Sequence, residues 1–321
     1  MKERVAVLII NWNSSNMLQR CLESIINQKY PIVEILVLDN GSDEPLPKEF
    51  YSKYPVVKFY RSDSNMGFAA GNNFLFSKIS DCRWVALVNS DAYLEPKWLS
   101  KMISATKDYP EYSFFASRLI SDANHEILDG DGDTMHISGL AWREGHGRKI
   151  IGNNVEHREI FSPCAAASLY KSEAFDSAGG FDKDFFCYFE DVDLGFRLRL
   201  AGYRCLLVPE AVAFHVGSAS TGGQRSDFAV YHGHRNMVWT YVKNMPGVLF
   251  WLLLPVHIVL NLITVICFLI GGQGLIIFRA KKDALLGITN MWRKRRDIQK
   301  NRTVSNCKIW QVLDKRFLKF V

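Results

Sequence analysis

Apolar runs of strand length alternate with helix-like segments over the N-terminal third of the chain. Four runs have the composition of buried strands and end at turn-forming polar residues. They are residues 5–10, 34–38, 56–60 and 84–88. Helices are predicted from Ser14 or Ser15 to Asn27, over residues 68–79, and from Pro96 onward. This alternation predicts an α/β fold with a mostly parallel sheet and helices on both of its faces.

Polar side chains gather directly after three of these strands, at residues 11–13, 39–43 and 89–91. The carboxyl ends of parallel strands meet at one edge of a sheet, where open α/β folds bind ligands. Neither the Gly-x-Gly-x-x-Gly turn nor the Gly-x-x-x-x-Gly-Lys-Ser/Thr phosphate loop is present. A divalent cation held by Asp91 would neutralise a diphosphate instead. A simple loop cap at residues 89–91 is the competing interpretation.

Acidic and aromatic side chains are concentrated in residues 180–194, which lead into a helix predicted to end at Gly202. The carboxylates of this segment are Asp182, Asp184, Glu190, Asp191 and Asp193. Carboxylates in partly apolar surroundings have raised pKa values and can act as general bases. Glu190 and Asp191 are the candidates for that role. The alternative is a helix start whose acids only complement the helix dipole.

The C-terminal quarter combines an uncharged apolar segment with a basic tail. Residues 248–270 carry no formal charge and are long enough to span a bilayer, and residues 274–278 form a second apolar run. From Arg279 to Val321 there are 13 basic and 3 acidic side chains, a net charge of +10 against +6 for the whole chain. Such a tail suits anionic lipid headgroups. A nucleic-acid partner is the weaker interpretation, because the basic patch adjoins a membrane-length segment.

The sequence leaves the membrane topology open. A single span would place the basic tail in the cytoplasm and the rest of the chain outside. A re-entrant hairpin or an in-plane helix over residues 248–278 would keep both parts on the cytoplasmic side. Pro255, His257 and Asn261 interrupt the apolar segment, so a buried helix of a soluble protein is a further interpretation. The seven scattered cysteines contain no Cys-x-x-Cys pair, which indicates a reducing compartment.

Five segments, in order, resemble the family 2 glycosyltransferases, in particular their bacterial rhamnosyltransferase-like branch. They are residues 5–13 (VAVLIINWN), 37–43 (VLDNGSD), 65–73 (NMGFAAGNN), 87–91 (LVNSD) and 179–194 (GGFDKDFFCYFEDVDL), followed by residues 201–203 and His215. The resemblance covers roughly residues 4–245. It implies the A-type, Rossmann-like glycosyltransferase fold, with a nucleotide-sugar half at residues 1–120 and an acceptor half at 121–245. Residues 246–321 would then be a membrane-associating helical region.

The resemblance also assigns roles to single residues. Asp191 corresponds to the catalytic base, with Glu190 beside it. The donor-binding residues that it implies are Asn11, Asn13, Asp39, Ser42, Asn65, Gly67, Asn89 and Asp91. Asp91 matches the last acid of the family's Asp-x-Asp motif, which implies Mg²⁺ or Mn²⁺, although Asn89 replaces the first acid by a neutral amide. His215 is implied as a further metal ligand, the alternative being a packed histidine.

The implied reaction is an inverting transfer of a sugar, with rhamnose as the candidate, from a nucleotide-diphosphate donor to a lipid-linked or polysaccharide acceptor. It would serve cell-surface polysaccharide synthesis, such as O-antigen or cell wall, on the cytoplasmic face of the inner membrane. A non-catalytic nucleotide-sugar or carbohydrate-binding relative is the alternative, and homo-oligomerisation is left open. Residues 129–133 (DGDGD) are interpreted as a loop beside the acceptor pocket or as a flexible surface loop. The small residues of 162–167 would let a sugar ring approach.

Overall fold

The computed structural model describes residues 2–150, 156–217, 222–223 and 225–316. Residues 317–321, the end of the predicted membrane region, lie outside the described residues. The strands are β1 (Val5–Asn11), β2 (Glu34–Asn40), β3 (Val57–Ser62), β4 (Trp84–Val88), β5 (Ala92–Leu94), β6 (Phe114–Ser121), β7 (Leu128–Gly130), β8 (Asp133–Met135), β9 (Ala141–Arg143), β10 (Arg158–Ile160), β11 (Ala167–Lys171) and β12 (Cys205–His215).

The helices begin after β1 and dominate the C-terminal part of the chain. They are α1 (Ser15–Ile26), α2 (Lys48–Lys53), α3 (Gly67–Phe76), α4 (Trp98–Asp108), α5 (Ser172–Ser177), α6 (Glu190–Leu200), α7 (Asp227–Asn244), α8 (Gly247–Ile270), α9 (Gly274–Leu286), α10 (Ile288–Lys300) and α11 (Asn306–Val312), with a 3₁₀ turn at Lys183–Phe185. The four predicted strands are present within two residues of their predicted ends.

One large sheet organises the molecule. Its main strand order is β10-β12-β6-β11-β4-β1-β2-β3, with β5 paired to β12 and β7 to β6. The strands β3, β2, β1, β4, β6 and β12 all run in one direction, whereas β11 lies antiparallel between β4 and β6. The predicted mostly parallel α/β sheet is therefore confirmed.

Helices cover both faces of the sheet because its central strands alternate between two apolar clusters. In β1, Val7 and Ile9 face the cluster that α1 and α4 complete, whereas Leu8 faces the cluster of α3, α5 and α6. α6 ends as predicted, since Gly202 adopts φ +95° and donates its N–H to the carbonyl of Arg199. This packing fixes the carboxyl ends of β1, β2 and β4 at one edge.

The C-terminal helices share a third apolar cluster with the rest of the chain. Phe185 and Phe196 lie in it together with Phe250 of α8 and Met291 of α10. The boundary predicted at residue 245 stays a prediction, but the residues on its two sides do not form separate cores. Among the described residues, α8 is the helix that is long and apolar enough to cross a bilayer.

Candidate active site

A cleft of ≈ 510 Å³ opens at the carboxyl-terminal edge of the sheet. The loops that follow β1, β3 and β4, together with Asn40 at the end of β2, form part of its wall, and residues 186–192 with β9 form another part. Seven residues predicted for the site line this cleft, namely Asn65, Gly67, Asn89, Asp91, Glu190, Asp191 and His215. Cys164, Ala165 and Ala166, from the small-residue stretch, line it as well. The structure brings these side chains together, and their individual roles stay predictions.

The other four predicted donor residues bond to one another beside the cleft. Ser42 Oγ accepts a hydrogen bond from the backbone N–H of Asn13 at 2.9 Å, and Asn11 Nδ2 lies 3.5 Å from Asp39 Oδ1. Asp39 is buried and forms an ion pair with Arg61. These residues tie together the ends of β1, β2 and β3. They are not among the residues that line the described cleft.

Asn40, which was not among the residues predicted for the site, also lines the cleft. Its Nδ2 donates to Asn65 Oδ1 at 3.0 Å, and its Oδ1 accepts from the N–H of Met66 at 3.0 Å. These bonds hold the loop at the start of α3, where Gly67 has φ +83°. A Cβ on Gly67 would lie 2.6 Å from the ring of Phe186, so glycine is required for both reasons. The turn signal at residues 39–41 pointed to this position.

Asp91 and His215 form the first charged group in the cleft. Nε2 of His215 lies 3.4 Å from Asp91 Oδ1 and makes no hydrogen bond with the described residues. Its Nδ1 lies 2.7 Å from Asp129 Oδ2, and Asp129 also pairs with Arg143. Burial lowers the pKa of His215, but the carboxylates of Asp129 and Asp91 outweigh burial and raise that pKa to about 9.

Once an ion displaces the proton from His215 Nε2, this arrangement fits a divalent cation bound together with the diphosphate of a nucleotide-sugar donor. Mg²⁺ commonly binds through one or two carboxylates and substrate phosphates. A metal-binding histidine usually turns its other ring nitrogen to a carboxylate, as His215 does to Asp129. Asn89 adds a buried Oδ1 that accepts no hydrogen bond from the described residues. In the described part of the chain, no group of three His, Cys, Asp or Glu side chains is placed to hold a metal ion. The ion would therefore also need oxygens from the diphosphate of the nucleotide sugar.

Glu190 and Asp191 form the second charged group, at the start of α6. Asp191 Oδ2 accepts from the N–H of Ala165 at 3.3 Å, and Oδ1 accepts from the N–H of Val192 at 2.8 Å. Burial raises the pKa of Asp191 above its ordinary value. Burial, and then the charge of Asp191, raise the pKa of Glu190 well above its usual range. A carboxylate with this environment can accept a proton from a hydroxyl in the cleft.

A protein-family model that matches this chain identifies the family to which it belongs. The model described as "Glycosyl transferase family 2" matches residues 6–179, more than half of the chain. The chain belongs to glycosyl transferase family 2. A similar protein is the N-acetylglucosaminyl-diphospho-decaprenol L-rhamnosyltransferase of Mycobacterium tuberculosis, 25% identical over 72% of this chain and 82% of the relative. Another is rhamnosyltransferase WbbL of Escherichia coli, 24% identical over 74% of this chain and 92% of the relative.

Solved structures agree on the A-type glycosyltransferase fold. The mannosyltransferase PcManGT of Pyrobaculum calidifontis, solved with GDP-Man and Mn²⁺, superposes with a TM-score of 0.57 at 15% identity over 94% of this chain and 85% of its own. GalNAc-T7, solved with UDP, GalNAc and Mn²⁺, gives a TM-score of 0.60 at 16% identity. That match covers 75% of this chain and 48% of GalNAc-T7. The chain is a glycosyltransferase with the predicted fold.

The acidic stretch at residues 129–133 contributes to the site of this glycosyltransferase. Its three aspartates, Asp129, Asp131 and Asp133, are buried, so the flexible surface loop considered for them is wrong. Asp133 lines the cleft, and burial together with the charge of Asp191 raises its pKa well above the usual range. Arg143, from β9, also lines the cleft. The high density of aspartates drew attention to this stretch of the sequence. It did not indicate Arg143, the partner of Asp129, which lies 14 positions further along the chain.

The five carboxylates of residues 182–193 divide into two groups. Only Glu190 and Asp191 line the cleft. The other three form ion pairs: Asp182 with Lys243 and Lys294, Asp184 with Lys294, and Asp193 with Lys243 and Arg197. The glycosyltransferase therefore uses most of this acidic segment to hold its own fold, which explains the density of acids that the sequence alone left unexplained.

Proposed function

We propose that this glycosyltransferase transfers a sugar from a nucleoside-diphosphate donor to a lipid-linked acceptor with inversion at the anomeric carbon, and that the sugar is rhamnose. The observation that carries the proposal is the presence of Asp191 in the same cleft as the Asp91–His215 pair. The names of the M. tuberculosis and E. coli relatives support rhamnose, and the former also supports a polyprenyl-diphosphate acceptor.

Asp191 acts as the base in this proposal. Its carboxylate takes the proton of the acceptor hydroxyl as that oxygen bonds to the anomeric carbon. The bond between that carbon and the diphosphate oxygen breaks, and its electrons leave with the nucleoside diphosphate. Asp91 and His215 would hold the divalent cation, which when bound neutralises charge on the leaving diphosphate. Asp129 orients His215 by accepting its Nδ1–H.

The test is release of nucleoside diphosphate from a panel of nucleotide sugars, with membrane extract as the source of acceptor. Wild-type protein should turn over one donor, and chelation should abolish turnover until Mg²⁺ or Mn²⁺ is restored. Asp191→Asn should lower turnover by ~10²–10⁴-fold, as expected for loss of a general base, while donor binding is retained. Asp108→Asn, at an exposed site on α4, is the control. Near-wild-type turnover in Asp191→Asn, or binding of a donor without turnover in any condition, would contradict the proposal.

We further propose that α8 and α9 lie in the plane of the cytoplasmic membrane surface. One side of α8 packs on the protein through Leu249, Leu253 and Leu260. The opposite side exposes a stripe along the helix, formed by Val248, Trp251, Leu252, Val259, Leu262, Ile266 and Ile270. α9 exposes Leu275, Phe278, Leu285 and Leu286. An apolar face on one side of a helix suits the membrane interface.

Polar contacts on the covered side of α8 argue against a spanning helix. His257 Nδ1 lies 2.7 Å from the carbonyl oxygen of Ser138, and Asn261 Oδ1 accepts from Lys281 Nζ at 2.6 Å. A spanning position would carry these groups and the β8–β9 hairpin into the hydrocarbon, where polar groups are costly. An in-plane position leaves them on the protein side.

A further inference from the structure

The backbone directly before α6 has an unusual conformation. Phe186, Tyr188 and Phe189 have φ angles of 64°, 66° and 67°, in the left-handed region that residues with a Cβ rarely adopt. All three residues line the cleft, and Phe189 is the N-cap residue directly before α6. No side-chain hydrogen bond caps α6 at that residue. The surrounding structure must therefore hold this segment in place.

Asn236 of α7 holds it through backbone carbonyls. This side chain is fully buried, and its Nδ2 lies 2.9 Å from the carbonyl oxygen of Phe185, 3.0 Å from that of Cys187 and 2.7 Å from that of Tyr188. The two N–H groups of a single amide are thus shared among three carbonyl oxygens of the segment. Its Oδ1 accepts from Nε of Arg235 at 2.9 Å.

Arg235 extends the same contact. Its Nη2 donates to the carbonyl oxygens of Asp184 at 3.2 Å and Phe185 at 3.1 Å. Both side chains come from neighbouring positions of α7, which packs against α6. Neither residue lines the cleft in the described structure, and neither was selected from the sequence.

We propose that Asn236, assisted by Arg235, is a positioning residue that sets the catalytic carboxylates and the aromatic wall of the cleft. This inference rests on the proposed function. Asn236 fixes the left-handed segment, the segment sets where α6 begins, and the first turn of α6 carries Glu190 and Asp191. Removal of the amide frees three carbonyls and lets the first turn shift, and displacement of a reacting group by about 1 Å costs on the order of 10²-fold in rate.

Asn244 supplies a matched control for the test. It lies on the same helix, is fully buried, and donates from Nδ2 to Asp193 Oδ1 of α6 at 2.7 Å. Its described side-chain hydrogen bond does not reach residues 185–189. Asn236→Ala and Asn244→Ala therefore remove the same group from the same helix and a similar buried bond. Only the first removes it from the left-handed segment.

The experiment measures kcat and donor KM for wild type and both variants, together with melting temperature. We expect both variants to lower the melting temperature, but only Asn236→Ala to lower kcat, by ~10–100-fold, with donor KM changed less than threefold. A kcat in Asn236→Ala within threefold of the Asn244→Ala value would overturn the inference. If Asn236→Ala does not fold, Arg235→Gln takes its place with the same criterion. Absence of transfer by the wild type would count against the proposed function instead.

Discussion

Glu190 is the residue at which function and stability conflict most clearly. It is buried, and its Oε2 accepts no hydrogen bond from the described part of the chain. Burial and the neighbouring charge of Asp191 raise its pKa well above the usual range. A buried carboxyl oxygen without a hydrogen-bond partner costs free energy. Its position beside Asp191 in the cleft gives a reason to retain it, because carboxyl groups with raised pKa values are typical of functional sites.

Replacement of Glu190 by Gln should stabilise the ligand-free protein, and more so at higher pH. At a pH below the pKa of the unfolded carboxyl, Glu190 is protonated in both the folded and the unfolded wild type. The free energy of unfolding then has its full value. As pH rises from there towards the folded pKa, the unfolded chain loses its proton first, so the wild-type free energy of unfolding falls by about 1.4 kcal/mol for each unit between the two pKa values. Glutamine does not titrate. Thermal denaturation at pH 5 and pH 8 measures the difference.

The exposed Glu126 gives the control, since Glu126→Gln changes the same group in solvent. A stability difference between Glu190→Gln and wild type that stays constant from pH 5 to pH 8, or that shrinks, would contradict the raised pKa of Glu190.

The α8–α9 hairpin connects the apolar surface to the cleft. Gln273, in the turn between the two helices, donates from Nε2 to Asp227 Oδ1 at 2.7 Å. Phe228, which follows Asp227 in α7, lines the cleft. The turn between α8 and α9 is therefore linked to the wall of the cleft through Asp227.

The basic run on α10 has two outward and two inward members. Arg293 and Arg296 are exposed, whereas Arg295 is buried and donates to the carbonyls of Val242 and Met245, and Lys294 pairs with acids of the catalytic segment. Only two of the four basic side chains of this run are therefore placed to meet lipid headgroups. The inward pair is held by the fold, because a buried cation requires a partner.

Vesicle sedimentation should separate apolar from ionic contributions to membrane binding. Replacement of Leu252, Leu262 and Ile266 by Gln should abolish binding to phosphatidylcholine vesicles with or without phosphatidylglycerol. Arg293→Gln with Arg296→Gln should weaken binding about 30-fold only where phosphatidylglycerol is present, at ~1 kcal/mol for each charge. Added salt should reproduce the second effect and not the first.

The matched control removes two exposed lysines of α4, Lys101→Gln with Lys107→Gln. Equal weakening in this control would mean that net charge, and not the α10 surface, attracts the protein. Binding that is indifferent to the apolar replacements would contradict the in-plane orientation.

At the scale of the whole molecule, the C-terminal helices pack against the segment that leads into α6 and its carboxylates. Lys294 joins α10 to the segment before α6 through Asp182 and Asp184, with a distance of 2.7 Å from Nζ to Asp184 Oδ2. Asn290 Nδ2 also donates to Asp184 Oδ2, at 2.6 Å. These contacts and the shared apolar cluster indicate that residues 246–316 do more than attach the enzyme to a surface.

Lys294→Gln should therefore lower both the melting temperature and the turnover of the enzyme. Without the Lys294 ammonium group, the negative charges of Asp182 and Asp184 are less well neutralised. Because Lys294 is partly solvated, we expect the free energy of unfolding to fall by about 1–3 kcal/mol. Arg296→Gln, two residues along the same helix and exposed, should change neither quantity in detergent solution. Retained stability in Lys294→Gln, or an active protein truncated after Met245, would contradict this structural role.

The sequence by itself determined the parallel sheet and the edge at which its strands end, and it singled out Glu190 and Asp191, whose role stays a prediction. Those features follow from local patterns, because apolar period and turn residues specify strands within a few positions. Five short motifs in order also sufficed for the family. A loop adjacent to a strand end must lie at the sheet edge, so the location of Asp91 followed as well.

Tertiary structure alone decided which charged groups meet. Asp129 and His215 are separated by 86 positions, and Asn236 contacts carbonyls 48 to 51 positions earlier. Nothing local distinguishes Lys294 from Arg293, yet one is paired inside the fold and the other faces solvent. The physical reason is that burial of a polar group depends on the partner that satisfies it. That partner is chosen by how helices and strands pack, and the packing brings together residues far apart in the chain.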